Sequence, residues 1–188
     1  MKKALLVIVI LVIVGVIFGG QLMGARNQFV VEKNDIDARW AQVDNDMKRR
    51  ADLIPNLVET VKGYAKQEQT VFGDIAKARS ALIGAGSRED KIAANNELSG
   101  ALGRLLVLTE NYPQLKSNEN FLRLQDELAG TENRLAVDRR DYNEAIKKYN
   151  IDIELFPKNI AASIFGYTRN NAYFNPTPEE KKTPQVKF

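Results

Sequence analysis

The chain begins with an uninterrupted hydrophobic block. Residues 4–20 are all aliphatic, aromatic or glycine, and no further charge appears before Arg26. At about 1.5 Å of rise per residue, roughly 20 apolar residues in a helix span the hydrocarbon core of a bilayer. We therefore expect an uncleaved membrane anchor over residues 1–25, in contact with the lipid bilayer through residues 4–25. A cleaved signal peptide has the same basic start and is the alternative, although its apolar region is usually shorter.

A second hydrophobic pattern follows the anchor. Apolar residues recur at alternating steps of four and three from Ile36 to Leu82, interrupted only by Arg50 and Glu68. This period predicts one long helix packed on other helices. Pro55 lies inside the pattern without shifting its phase. We therefore expect a kink, or a restart capped by Asp52, with no change of direction.

Turn signals divide the remainder. IGAGSRED predicts a turn in which Ser87 caps a second helix, and Tyr112-Pro113 ends that helix. QLKSN predicts the next connection, with Ser117 or Asn118 as the cap of a third long helix.

The apolar positions of this third helix continue to Phe156, and a short helix over residues 160–165 precedes a C-terminal cap at Gly166. No strand pattern is present. The predicted fold is all-α, with an N-terminal transmembrane helix followed by a long antiparallel up-and-down bundle, four-helix-like, over residues 26–175. The polar, proline-rich residues 176–188 are expected to form a disordered tail.

Composition excludes several classes of function. The chain has no cysteine and no histidine, so disulfides, thiol catalysis and histidine-based metal or triad sites are absent. No phosphate-binding glycine motif occurs. The net charge of +3 depends largely on Lys2 and Lys3, and the rest is nearly balanced, unlike a nucleic-acid-binding domain. We expect no cofactor, no metal and no nucleic acid.

The charges around the anchor predict its orientation. Lys2 and Lys3 flank one end, whereas Arg26 alone lies close to the other. The positive-inside rule then places the amino end in the cytoplasm and the helical domain outside it.

The third helix carries a polar stripe. Glu132 and Arg139 lie seven residues apart, and Tyr142-Asn143 is repeated seven residues later as Tyr149-Asn150. Such residues could perform carboxylate chemistry, meet a partner, or form a buried polar network that fixes helix register. Arg50 interrupts the first helix pattern and could form an ion pair with Glu132. The candidate interaction or polar-network residues are Arg50, Glu132, Asn133, Arg139, Tyr142, Asn143, Tyr149 and Asn150.

Three segments resemble a known family. They are RRADLIPNLV at residues 49–58, YPQLKSNENFLRLQDELAGTENRLAVDRRDYNEAIKKYNIDIELFP at residues 112–157, and the Tyr173-Phe174 pair. Together with the single amino-terminal membrane helix, they resemble the LemA family of bacterial membrane-anchored proteins. The resemblance implies an all-α up-and-down bundle, no enzymatic activity and an association with membrane proteases and membrane stress. It also implies an amino end outside the cytoplasm, opposite to the orientation that the charges predict.

These observations leave three hypotheses. The first is a non-enzymatic, membrane-anchored helical scaffold of the bacterial envelope, with coiled-coil-like seams, that forms a homo-oligomer or docks another envelope protein. The second is a regulatory subunit or sensor for a membrane protease or signalling system. The third is a carboxylate-based enzyme. Substitution of Glu132 by glutamine would separate the third from the others, because a network role predicts lost stability.

Overall fold

The computed structural model describes residues 2–174, which form six α-helices and contain no strand. The helices are α1 Lys2–Lys62, α2 Gln69–Gly84, α3 Arg88–Thr109, α4 Pro113–Lys116, α5 Glu119–Glu154 and α6 Lys158–Phe165. The prediction of an all-α fold is confirmed. The tail predicted at residues 176–188 lies outside the described residues.

Helix α1 contains both the apolar block and the start of the domain. Its most apolar 18-residue window has a mean hydropathy of 2.9, and none of that window is buried inside the structure. Within residues 2–174, one helix is long enough and apolar enough to cross a membrane, and that helix is α1. An exposed apolar surface of this extent is typical of contact with lipid. The boundary predicted at residues 25 and 26 falls within α1 and stays a prediction.

The prediction of one helix from Ile36 to Leu82 is wrong. Pro55 lies inside α1, which continues to Lys62 with no restart at Asp52. The helix ends there, and a turn over residues 63–68 precedes α2. Glycine at position 63 disfavours continuation of the helix. In the turn, Ala65 is buried, whereas Tyr64, which the apolar pattern placed on the buried side, is 40% exposed.

The described residues divide into two compact units. One contains residues 2–40 and 141–173, and the other contains residues 41–140 and 174. The division falls within α1 and within α5, so each of these helices contributes to both units.

Apart from the four-residue α4, the unit of residues 41–140 is an up-and-down arrangement of four helices. Asp46 pairs with Arg134, and Arg50 with Glu132, which makes α1 and α5 antiparallel. Asp44 pairs with Lys91 and Arg50 contacts Ser99, so α3 runs parallel to α1. A short turn joins α2 to α3, and an ion pair between Asp74 and Arg104 shows that these helices are antiparallel. The chain therefore reverses direction after Lys62, which the sequence did not indicate.

The unit of residues 2–40 and 141–173 consists of the first part of α1, the second part of α5, helix α6 and the segment after it. Its α1 and α5 segments are also antiparallel, since Gln28 bonds Asp152 and Arg39 pairs with Asp141. Phe29 is fully buried and contacts Tyr167, with ring centroids 5.1 Å apart.

Several helix termini have the caps that the sequence predicted. The Ser87 hydroxyl accepts a hydrogen bond from the Asp90 backbone N–H at 3.0 Å. Of the two caps predicted before α5, Asn118 is used, because its Oδ1 accepts a bond from the Phe121 N–H. Gly166 follows α6 with φ of 72°, a left-handed conformation that favours glycine.

Candidate functional site

Arg50 lies at the centre of a buried charged cluster in the unit of residues 41–140. Its guanidinium Nη1 lies 2.6 Å from a carboxylate oxygen of Glu132 on α5. The same nitrogen donates to the Ser99 hydroxyl at 2.9 Å and to Asn95 Oδ1 at 3.5 Å on α3. Arg50 thereby connects three helices. We call Arg50, Asn95, Ser99, Glu132 and Arg139 the Arg50 cluster.

Burial governs the electrostatics of this cluster. The Arg50 side chain is 7% exposed, whereas the Glu132 side chain is 40% exposed. Burial lowers the pKa of Arg50; the Glu132 carboxylate opposes this shift, and the neighbouring Arg139 adds to it. The ion pair with Glu132 therefore compensates a charge that the fold has removed from water.

Arg139 belongs to the cluster through its contact with Glu132. One of its terminal nitrogens lies 3.7 Å from Glu132, and its guanidinium carbon lies 5.2 Å from the ring centre of Phe174. This is cation–π geometry. Within residues 2–174, the buried nitrogens Nε of Arg50 and Nε and Nη2 of Arg139 have no hydrogen-bond partner. The cluster thus carries more donor capacity than its carboxylate and amide oxygens use.

An apolar cavity of about 230 Å³ opens beside the Arg50–Glu132 pair. Besides Arg50 and Glu132, the cavity is lined by one more polar residue, Gln125. The other lining residues are aliphatic: Leu57, Leu102, Leu106, Leu128 and Ala129. A small apolar group could fit there against the charged pair. Leucine side chains offer neither an acid nor a base, so the cavity itself brings no further catalytic group to Glu132.

The two Tyr-Asn pairs lie in the other unit and have different surroundings. The Tyr142 ring is fully buried and lies 5.3 Å from the ring centre of Trp40. The Tyr149 hydroxyl donates to the backbone carbonyl of Thr168 at 3.0 Å. Burial raises the pKa of Tyr149. The repeat therefore does not present one geometry twice.

Asn150 holds the segment that follows α6. Its Nδ2 donates to the Asn170 carbonyl at 2.7 Å and to the Tyr173 hydroxyl at 2.9 Å. Its Oδ1 accepts from the Asn170 N–H at 2.8 Å. Asn150 is 2% exposed, so Tyr149 and Asn150 together fasten residues 168–173 to α5.

The remaining candidates lie nearer the surface. Asn133 is exposed and Asn143 is half-buried. The structure therefore brings Arg50, Glu132 and Arg139 together and places Tyr142, Tyr149 and Asn150 in internal contacts. Their assignment as interaction or polar-network residues stays a prediction.

A second polar cluster was not predicted from the sequence. Glu32, 5% exposed, receives a hydrogen bond from Gln28 Nε2 at 2.9 Å, and the same amide donates to Asp152 at 3.0 Å. Lys148 lies 3.8 Å from Glu32, and Lys158 pairs with Asp152. We call Gln28, Glu32, Lys148, Asp152 and Lys158 the Glu32 cluster.

The two carboxyl groups of the Glu32 cluster have opposite pKa shifts. Burial and a hydrogen bond with Asp152 raise the pKa of Glu32 above its ordinary value. For Asp152, burial acts upward, but the bond from Glu32 and the pairing with Lys158 prevail and lower the pKa.

Sequence signals for the missed residues are weak but real. Glu32 precedes Ile36 by one helical turn, and Asn95 lies three residues from both Ile92 and Leu98 on the apolar face of α3. Each is a polar residue on an apolar helix face, where an unpaired side chain would be costly. The identity of their partners depends on helix register, which the sequence does not give.

The sequence model described as the LemA family matches residues 39–188 of the chain. The chain belongs to the LemA family. The match includes all the candidate residues, from Arg50 to Asn150, and confirms the resemblance seen in the sequence.

Named relatives agree with this assignment. The magnetosome protein MamQ 2 of Paramagnetospirillum magneticum is 28% identical over 201 residues, which cover 93% of this chain and 73% of that protein. MamQ of Magnetospirillum gryphiswaldense is 25% identical, covering 88% and 71%. Protein LemA of Metamycoplasma hominis is 23% identical, covering 74% and 64%. This LemA-family chain is a helical protein with a membrane-anchor candidate at its amino terminus.

The Arg50 cluster predicts that removing one charge of the Arg50–Glu132 pair lowers stability more than removing both charges. Glu132→Gln leaves the buried Arg50 charge without its carboxylate, so we expect the free energy of unfolding to fall by about 1–3 kcal/mol. Arg50→Met combined with Glu132→Gln removes both charges and should recover part of this loss. Chemical denaturation of the full-length protein in detergent measures both effects. Glu59→Gln, which alters an exposed pair with Lys62, is the control, and an equal loss there would contradict the account.

The Glu32 cluster predicts a pH-dependent stability. Because the folded protein binds the Glu32 proton more tightly than the unfolded chain, the unfolding free energy falls as pH rises above the ordinary value of 4.5. Asp152 has the opposite effect: its contribution to the unfolding free energy is lost only as pH falls below 3.8, the ordinary pKa of an aspartate. Glu32→Gln should therefore raise the melting temperature at neutral pH, and its advantage should shrink on acidification.

Thermal unfolding of the full-length protein across this pH range tests the prediction. Glu154→Gln, at an exposed pair with Arg169, is the matched control. A Glu32→Gln variant that is less stable than the parent at neutral pH would show that the Glu32 carboxylate stabilises the fold.

Proposed function

We propose that this LemA-family protein is a non-enzymatic, membrane-anchored helical scaffold of the bacterial envelope that associates with copies of itself. The observation that carries the proposal is the continuity of helix α1. Its 61 residues include the apolar block and contribute to both helical units. A helix of this kind fixes a helical domain to a membrane without a linker, which suits a structural role.

The use of the polar residues also favours a structural role. The charges of the Arg50 cluster contact one another, and Tyr149 and Asn150 bind the backbone of residues 168–173. Groups engaged in this way specify helix neighbours and register. They are poorly placed to serve as subunit contacts, so the proposed association uses other surfaces.

The anchor offers one such surface. Gly15 and Gly19 lie one turn apart, and a Cβ added at either would meet no atom within 4 Å. Small residues spaced in this way allow membrane helices to approach closely. Self-association through this face would leave the helical domain unchanged.

Orientation is part of the proposal. Lys2 and Lys3 outnumber Arg26 near the ends of the span, which favours a cytoplasmic amino end and a domain outside. A cysteine introduced at the exposed Val107 should react with a membrane-impermeant maleimide in intact cells. Reaction only after the cells are opened would reverse the orientation.

A sensor or regulatory subunit for a membrane protease or signalling system is the second candidate. The Glu32 cluster favours it, because a buried carboxyl with a raised pKa lies on α1 shortly after the apolar block. Such a group can couple protonation to helix packing. This role requires a partner protein in the same membrane.

The native mass of the full-length protein, gently extracted from its own membranes, tests the scaffold. We expect a discrete multiple of the 21.1 kDa chain. Gly15→Leu combined with Gly19→Leu should reduce this mass towards a single copy, whereas Val16→Leu, on a different face, should not. A single copy bound to another protein would favour the regulatory candidate, and a single copy with nothing bound would contradict both.

A further inference from the structure

One end of the unit of residues 2–40 and 141–173 exposes large apolar side chains. Leu155 is 53% exposed, Phe156 is 79% exposed and Ile164 is 60% exposed. The sequence pattern placed Phe156 at the end of a buried seam, and that prediction is wrong, because α5 ends at Glu154 and the chain turns. Three large apolar residues within ten positions form a patch that water solvates poorly.

Helix register gives the level of this patch along α1. Glu32 lies beside Lys148, and Gln28 beside Asp152, so each step along α5 moves back by one step along α1. Leu155 and Phe156, which follow, come close to the level of Gly24 and Ala25. That is where the apolar block ends, directly before Arg26.

Helix α6 contacts both α5 and α1 near this level. Lys158, at its start, pairs with Asp152, and Phe165, at its end, lies with its ring centre 5.8 Å from the Arg26 guanidinium. The start of α6 is therefore paired with α5, and its end contacts α1. Ala162 is buried, and Ile164, about 200° further round the helix, faces away from the unit.

We propose that Leu155, Phe156 and Ile164 form a docking surface for the headgroup–acyl boundary of the bilayer that holds α1. The proposal rests on α1 spanning the membrane, as the proposed function requires. The occupant is lipid because the helix register places the patch at the height where the exposed apolar surface of the anchor ends. A short apolar helix face lying flat at this height buries its side chains among the outer acyl segments.

Neighbouring residues suit the same environment. The Tyr167 ring lies between Phe29, at a centroid distance of 5.1 Å, and the Lys33 ammonium, at 6.0 Å. Tyrosine and basic side chains at the end of a membrane span favour the polar headgroup layer. The apolar patch and this polar layer together hold the unit against the bilayer in one orientation.

Site-directed spin labelling of the full-length protein tests the proposal. The chain has no cysteine, so Phe156→Cys, Ile164→Cys, Met23→Cys and Glu144→Cys each carry one label. The variants are reconstituted in vesicles of phosphatidylcholine and phosphatidylglycerol, and label collisions with oxygen and a water-soluble nickel chelate are compared. Met23 reports the anchor, and Glu144 is an exposed position on α5, roughly 15 Å before the end of that helix at about 1.5 Å per residue.

We expect oxygen collisions to exceed nickel collisions at positions 23, 156 and 164, and the reverse at 144. Labels at 156 or 164 that match position 144, while 23 stays in lipid, would overturn the docking surface and leave the anchor intact. Low collision rates with both reagents at 156 and 164 would mean that protein covers the patch, which also overturns it. A label at 23 that matches 144 would overturn the anchor as well.

Discussion

The structure depends on one helix whose two parts have different surfaces. Over residues 4–20, α1 is apolar on every face and exposed, whereas from Phe29 onward it buries one side and leaves the other to water. A helix suits an anchor that continues into a domain, because its backbone hydrogen bonds are satisfied internally in lipid and in water alike. Residues Asp152, Asp141, Arg134 and Glu132 of α5 all contact this helix.

Buried polar groups then decide which neighbours α1 accepts. Leucine and isoleucine seams tolerate several helix registers, but Arg50 can meet Glu132, Ser99 and Asn95 together in one register only. Asn150 does the same for the segment after α6, since three hydrogen bonds fix residues 170–173 to one turn of α5. We propose that these polar residues cost desolvation energy but favour a single arrangement over several.

Local signals in the sequence predicted much of the fold and less of the site. Ser87 and Gly166 act through neighbouring backbone atoms, so their caps could be predicted. The end of α1 at Lys62 could not, because the apolar period continues in phase through Ile75 and Leu82 on a helix that runs the other way. The Arg50–Glu132 pair followed from one interruption of the first apolar pattern and from the polar stripe of the third helix. The interaction between Glu32 and Asp152 needed the helix register, because neither residue was a candidate in the sequence.

The most direct test of the account is whether α1 stays continuous where it leaves the lipid. Spin labels at Phe18→Cys and Ala38→Cys in the full-length protein, reconstituted in a bilayer, report this by electron–electron distance measurement. At about 1.5 Å per residue, a continuous helix places the two backbones roughly 30 Å apart with a narrow distribution. A clearly shorter or broad distribution would mean a hinge between anchor and domain, and would contradict the account.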